Sequence, residues 1–512
     1  MFASGRFYRT PFGRRWLWPP AAVLLGAGLG LMMLALSPTL VAIAAVGAAF
    51  MLFIARVPEA GILTIVLLTS GLIDPALLPQ LPFGPFDLNL PEVLLLFQVA
   101  LVLAQALAHA PTALARTPLL GPGIWFLLAM LLSSARAVLL YSADLFFVIS
   151  RVRIMIFYAM FFVITGLVTT PQQVRRIVGG LHAIAVAVAL VAIAQTIIPS
   201  FPMLGIAVDT LATAGRSYEG VLRVSVPGTI LVYVMFCLSV SSLVCHHRPR
   251  WGLGLLRTVT LGAALLLAFE RNIWLTLVIA VGGLSVLVGW RLRLRMMLIG
   301  VCAAGLVVLA ASTGGGPARY VEAAGERFLW GTSPSTVVQD RSVELRVIET
   351  GHALQTIRQD PLLGIGIGRI YRPPVPEDAY WRAQSGRDLR YYVHNAYLWV
   401  MVKMGIVGLA PFVLFYALAV GRGLWHWRGL GTSWQRCLVV GIAIGLAGQM
   451  VSNVVSPNMI EAPVLVIYPV AIGITEVVLS WRTVRPDDQA GFAAADPQRG
   501  VHSGLRKGRA KA

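Results

Sequence analysis

The sequence predicts an all-α, polytopic membrane helix bundle, and three observations predict it. The 512 residues are 57% hydrophobic and only 12% charged, where a soluble domain carries about 25% charged residues. Mean hydropathy is +0.78. The apolar residues gather into runs close to the roughly 20 residues that a helix needs to cross a bilayer, and a helix is a form in which a lipid-buried backbone satisfies its own amides. Between the runs, arginines cluster in short segments, the signature of a cytoplasmic face.

Spans are expected near 18–36, 38–54, 58–73, 90–108, 119–138, 145–168, 177–198, 226–244, 252–269, 272–289, 293–312, 395–420, 434–453 and 460–480. That is fourteen, within a range of about 12–14. The first three are separated by Pro38 and Pro58 alone. The 18–36 run has the look of a signal-peptide core but lacks a small-residue cleavage site and is followed by further spans, so it stays in the mature chain. Short basic segments (Arg6, Arg9, Arg14 and Arg15; Arg175 and Arg176; the turns at 245–251 and 290–295; Arg422, Arg428 and Arg436) are assigned to the cytoplasm. Both termini then lie inside, in keeping with an even number of spans.

The chain accordingly divides into a cytoplasmic basic N-terminus (1–17), a first set of spans (18–312), a large extracytoplasmic loop (313–393), a last set of spans (394–480) and a basic, disordered tail (481–512). The net charge of +19 serves topology and anionic membrane lipids and calls for no nucleic-acid partner. Cys237, Cys245, Cys302 and Cys437 lie in or at the edges of spans without metal-type spacing and read as small apolar fillers. No outward-facing carboxylate pair or His/Asp/Glu cluster suggests a metal site, and no cofactor is implied.

Three extracytoplasmic segments are more than turns: 74–89, 199–225 and 313–393. A structureless loop as long as the last is improbable, so it is expected to fold and to carry function. Within it, 341–360 shows apolar residues at Val343, Val347, Ala353, Leu354 and Ile357, the spacing of an amphipathic helix that Pro361 ends. The glycines of Leu363–Gly368 allow backbone to approach a ligand or a tight packing partner. The following stretch mixes aromatics with Arg382, Arg387 and Arg390. That mixture suits sugars and phosphates and equally suits an interfacial belt.

Arginine is the informative residue on this side. By topology Arg223 precedes the span at 226, Arg271 opens the span at 272, and Arg346 lies on the loop helix, so all three meet the outer membrane boundary against the usual inside bias. Any one of them is explained by snorkelling to headgroups. Three on one side point to a phosphate or diphosphate, which guanidinium binds two-pronged. Arg151 and Arg153, about two turns into a span, either face a polar cavity or mark the membrane edge.

Three segments stand out in order: Leu267–Val278, opening a span with an arginine; Arg346–Gly368, a loop helix ending in Pro-Leu-x-Gly-x-Gly; and His394–Leu409, His-Asn-x-Tyr-Leu followed by Gly-Ile-x-Gly-Leu. Together they strongly resemble the O-antigen ligase superfamily, which comprises O-antigen ligases, Wzy-type O-antigen polymerases and O-linked protein oligosaccharyltransferases. Leu222–Ile230 is a weaker fourth segment. The sequence departs from the family pattern at Glu270, where serine is usual, at Thr350, where tryptophan is frequent, and at Lys403, where glutamate is frequent.

The resemblance implies a GT-C-like membrane glycosyltransferase. Its donor would be an undecaprenyl-diphosphate-linked glycan, and its acceptor a hydroxyl of a lipid A core, a growing glycan or a protein. His394 is then the base or acceptor-positioning group, Arg271 a catalytic cation, and Arg223 and Arg346 diphosphate ligands, with Arg216 the substitute for Arg223. Asn395 reads as a helix cap or acceptor contact, and Tyr397 as a sugar-stacking ring or an interfacial anchor. His182 and His352 read as structural. The rival is a transporter or flippase of lipid-linked glycans, which commonly carries internal repeats; none is evident between the halves.

Overall fold

The computed structural model describes residues 38–83, 86–108, 117–198, 207–213, 216–245, 251–291, 315–330, 341–376, 388–461 and 464–481, with isolated positions between 293 and 312 and between 378 and 382. The expected span at 18–36, most of that at 293–312, and both terminal segments lie outside the described residues. Two units are distinguished, residues 1–60 and 61–512. The first holds helix α1 (Pro38–Arg56), and α2 (Pro58–Thr69) begins where it ends.

The second unit is a helical bundle interrupted by two hairpins. A short hairpin, β1 (Gln80–Phe83) and β2 (Phe86–Asn89), leads into α3 (Leu90–Ala108), α4 (Leu120–Tyr141), α5 (Leu145–Met155), α6 (Met160–Leu167) and α7 (Pro171–Ile197). A longer one, β3 (Ala207–Thr213) and β4 (Arg216–Ser225), precedes α8 (Thr229–Cys245), α9 (Trp251–Leu267) and α10 (Arg271–Leu287). The helices α11 (Gly315–Trp330) and α12 (Arg341–Gln359) lie in the stretch expected to be a folded loop. The chain returns through α13 (Ala396–His426), α14 (Ser433–Ser452) and α15 (Ile467–Ser480).

The molecule is a polytopic helical membrane protein. Among the described residues six helices are long and apolar enough to cross a bilayer, α5 and α6 counting as one through a 3₁₀ turn. Four more apolar helices, α8, α9, α10 and α15, have 14–17 residues. Seventeen residues rise about 25 Å, a little short of a hydrocarbon core of roughly 30 Å. The expected segments are therefore helical, but several end early. α8 begins at Thr229, three residues after the expected start, because a turn follows β4 there. Both hairpins fall in segments expected to be more than turns, and no alternation in their sequences announced them.

Helix packing follows side-chain size. On α14, Gly441, Gly445 and Gly448 face Leu238, Cys237 and Tyr233 of α8, where added Cβ atoms would meet Leu238 and Ser241 at 3.0 Å. Small residues of this kind let membrane helices approach closely. The Tyr233 hydroxyl donates across the gap, 3.2 Å from the Gly445 carbonyl and 3.3 Å from that of Thr276 in α10. These contacts fix the helix that Arg271 opens.

A second packing feature joins the loop to the bundle. Gly405 has φ 62° and ψ −165° inside α13 and breaks that helix. The turn after α12 fills the break: the Ile365 and Gly366 amides donate to the carbonyls of Val402 and Lys403 at 2.9 and 3.0 Å. The amides of Ile406 and Val407 donate to the carbonyls of Pro361 and Leu362 at 2.9 and 3.2 Å. Backbone groups orphaned by the kink are thus paired, as lipid burial demands. Gly364 has φ +65°, and a Cβ there would lie 2.6 Å from the Val402 carbonyl oxygen. The glycine run approaches a packing partner. Lys403 is buried and donates to the Arg369 carbonyl, tying the same turn down.

Of the two arginines in the span, Arg153 forms a two-pronged pair with Glu92 at 3.0 and 2.7 Å, and Arg151 stacks over Phe147 at 4.9 Å. His182 is buried between the Val178 carbonyl and the Ser239 hydroxyl, at 2.9 and 3.3 Å.

Candidate functional site

His394 is placed by the ends of two helices. Asn395 is extended, φ −142° and ψ 116°, and its side chain accepts from the Leu398 amide at 3.0 Å, capping α13. The Ala396 amide donates to the Asn453 carbonyl at 2.9 Å, just past α14. Asn453 is itself held, donating to the Gln449 carbonyl and accepting from the Met459 amide at 2.7 and 2.8 Å. Tyr397 donates its hydroxyl to the Met450 carbonyl at 2.7 Å, so its polar end is spent within the bundle.

The loop helix supplies the partner of His394. Glu349 Oε2 lies 2.8 Å from His394 Nδ1 and accepts from the His394 backbone amide at 2.9 Å. Glu349 is 1% exposed. The buried stripe of α12 is Leu345, Glu349, Ala353 and Thr356, while Val347 and Leu354 stay 67% and 47% exposed. The apolar periodicity therefore picked out a partly wrong face. Two polar residues are buried in its place because each is satisfied across the interface: Glu349 at His394, and Thr356 at the Tyr371 carbonyl, 3.0 Å away. Arg346 stands three residues before Glu349, on the same side of the helix.

Beyond His394, contacts run as far as Glu461, and a second group of charges gathers at the start of α10. The His394 ring lies edge-on to Tyr392, centroids 4.8 Å apart, and the Tyr392 hydroxyl donates to Glu461 at 2.8 Å. The Glu461 carboxylate acts on Glu270, and Glu270 reaches Arg223 at 4.0 Å. Burial pushes the Glu270 carboxyl above its ordinary range, against the pull of Arg223 and Arg327 and with Glu461 adding to the rise. Arg271 follows as the first residue of α10.

The local backbone here is unusual. Phe269 has φ 51°, a left-handed conformation that is a genuine outlier for a bulky residue. Its carbonyl accepts from Arg327 Nε at 2.7 Å. Its ring joins a small apolar cluster with Val221 of β4, Trp274 of α10 and Ala323 of α11. The Leu222 amide donates to the Tyr320 hydroxyl at 3.2 Å. The second hairpin is thus pinned to α11 and α10, which sets Arg223 beside Glu270.

Arg216 sits at the other end of β4, where its backbone pairs with Thr213. Seven residues of strand put it roughly 20 Å from Arg223, and its side chain lies outside the described positions. Arg223 thus stands beside Glu270, Arg271 follows Glu270 in sequence, and His394 meets Glu349, three residues after Arg346.

Residues 256–413 match the family model described as O-antigen ligase. This part of the chain belongs to the O-antigen ligase superfamily. The match holds α10, α12 and the start of α13, hence Arg271, Arg346, Glu349 and His394, and leaves the Arg223 hairpin outside. The resemblance read from the three ordered segments is borne out at the level of the family. No curated protein matches the chain. Within the O-antigen ligase region, sequence reasoning missed Glu349 and Arg327, and outside it Tyr392's partner Glu461. Glu349 left one trace, an acid three residues after Arg346 on the loop helix.

Proposed function

We propose that the chain is a glycosyltransferase of the inner membrane that moves a glycan from a lipid diphosphate to an acceptor hydroxyl at the extracytoplasmic face. In this reading the donor is an undecaprenyl-diphosphate-linked glycan of O-antigen or exopolysaccharide type. The acceptor hydroxyl gives its proton to His394, its oxygen attacks the anomeric carbon, and the bond from that carbon to the diphosphate oxygen breaks. Histidine is the side chain whose ordinary pKa suits proton transfer near neutrality. The departing lipid diphosphate gathers negative charge, which Arg271, Arg223 and Arg346 balance.

The observation that supports the reading is His394 held by the buried Glu349 at the start of α13, with Arg346 on the same loop helix as Glu349. A histidine at a helix start supports chemistry at a membrane face, whereas carriers of lipid-linked glycans bind near the bilayer midplane. The test uses purified protein in vesicles with lipid-linked glycan extracted from the cells that make it. His394→Ala is expected to slow transfer by about 10²–10⁴-fold, and Arg271→Ala by about 10²–10³-fold, with both proteins inserted. Full transfer by both variants overturns the reading. In a deletion strain, polymerised glycan that never reaches its acceptor marks a ligase, and single repeat units mark a polymerase.

A further inference from the structure

We infer that Glu349 is the positioning residue of His394, holding the imidazole with its proton on Nδ1 so that Nε2 presents the lone pair; this rests on the reading of His394 as the base. The argument starts from the backbone. The His394 amide can only donate, and it donates to Glu349 Oε2 at 2.9 Å. That oxygen is therefore acting as an acceptor. His394 Nδ1 meets the same oxygen at 2.8 Å, so Nδ1 is the second donor and carries the hydrogen. A neutral imidazole has one N–H, which leaves Nε2 as the acceptor nitrogen.

Burial sharpens the role. Glu349 is 1% exposed, and its second oxygen has no hydrogen-bond partner. A carboxylate held in this way is expensive unless a positive charge faces it. When Nε2 takes the acceptor proton, the imidazolium supplies that charge 2.8 Å away. The carboxylate thus favours the product of the proton transfer more than its start, as transition-state stabilisation requires. The remaining charged and titratable neighbours are Tyr392 beside the ring, Arg346 on the same helix, and Tyr371, on which the Glu349 carboxylate acts.

Two measurements test this in the full-length protein. In the first, ring-nitrogen spectra of ¹⁵N-histidine-labelled protein are recorded at alkaline pH, and His394 is isolated as the difference from His394→Ala. Protonated Nδ1 and bare Nε2 are expected; a proton on Nε2 overturns the inference whatever the activity data say. In the second, Glu349→Gln, which keeps an acceptor oxygen, is compared with Glu349→Met, which fills similar space without one. Glu349→Met is expected to lose at least about 100-fold in kcat with the donor KM unchanged, and Glu349→Gln, which keeps the acceptor oxygen without the charge, to fall between the parent and Glu349→Met. Equal kcat in the two variants, or a loss confined to KM, overturns the role. Should Glu349→Met not fold, the spectrum and the Glu349→Gln rate still decide. An active His394→Ala sinks the proposed function instead, and leaves the tautomer result standing.

Discussion

Glu270 stands where relatives of this kind usually carry serine, and its carboxylate lies 4.0 Å from Arg223. A diphosphate arriving at these arginines meets a negative charge already in place. Removing that charge should strengthen donor binding. Glu270→Gln is expected to lower the donor KM by roughly fivefold, the relief of a repulsion that solvent screens to about 1 kcal/mol at this partly exposed pair, with kcat unchanged. Steady-state kinetics on lipid-linked glycan checks this, and a KM that rises would mean that Glu270 itself orients Arg223 for the donor. At this scale the sequence was uneven. His394 was legible because it sits in an ordered motif, and Arg271 because it opens a span. Glu349 was hidden because a buried acid becomes credible only when its partner is in view, and that partner is 45 residues away.

Among the elements, the break in α13 deserves comparison with the glycine turn that fills it. In sequence these looked like two separate motifs, 363–368 and 403–409. In space they are one joint, four backbone hydrogen bonds long. Gly405→Ala forces a side chain onto φ 62°, against the backbone of Leu362. With ψ −165° this is a region essentially restricted to glycine, which costs about 1–3 kcal/mol for a residue with a Cβ, and the overlap adds roughly 1–3 kcal/mol. A fall in the thermal unfolding midpoint, with transfer activity lost before the protein unfolds, is the expected result. The same segment continues into a buried pair, Arg372 with Asp378 at 2.7 and 2.6 Å. Burial pushes the Asp378 carboxyl up, but the Arg372 guanidinium and the Val375 amide outweigh it and hold the group below the ordinary carboxylate range. A carboxyl depressed by folding stabilises the fold above its ordinary value and loses that contribution as pH falls through the depressed one. Hydrogen exchange in 371–379 should therefore stay slow at neutral pH and accelerate only below the ordinary carboxylate range. Arg372→Ala, which strands the acid, should accelerate it already at neutral pH, by about 3–5 kcal/mol of lost protection.

For the whole molecule, hydropathy made the membrane class and most helices legible, since lipid leaves the backbone few choices. It overran the shorter helices by a few residues, because an apolar run does not reveal where the chain leaves the helix for a turn. Orientation is the property that composition encodes only through arginine placement, and it decides whether the site can meet an extracytoplasmic acceptor. The part of α13 after its break at Gly405, residues 406–426, rises about 31 Å, enough for a hydrocarbon core of roughly 30 Å. The His394 end and the exposed Trp425 end are therefore expected on opposite faces. The proposed function needs the His394 end outside. Cysteines introduced at Leu362 and at Trp425, 65% and 83% exposed, report this directly in a background whose native thiols are replaced. In intact spheroplasts a membrane-impermeant maleimide is expected to label Leu362→Cys at once and Trp425→Cys only after the membrane is opened. The reverse pattern would put the histidine and its arginines in the cytoplasm, out of reach of a lipid-linked glycan presented outside.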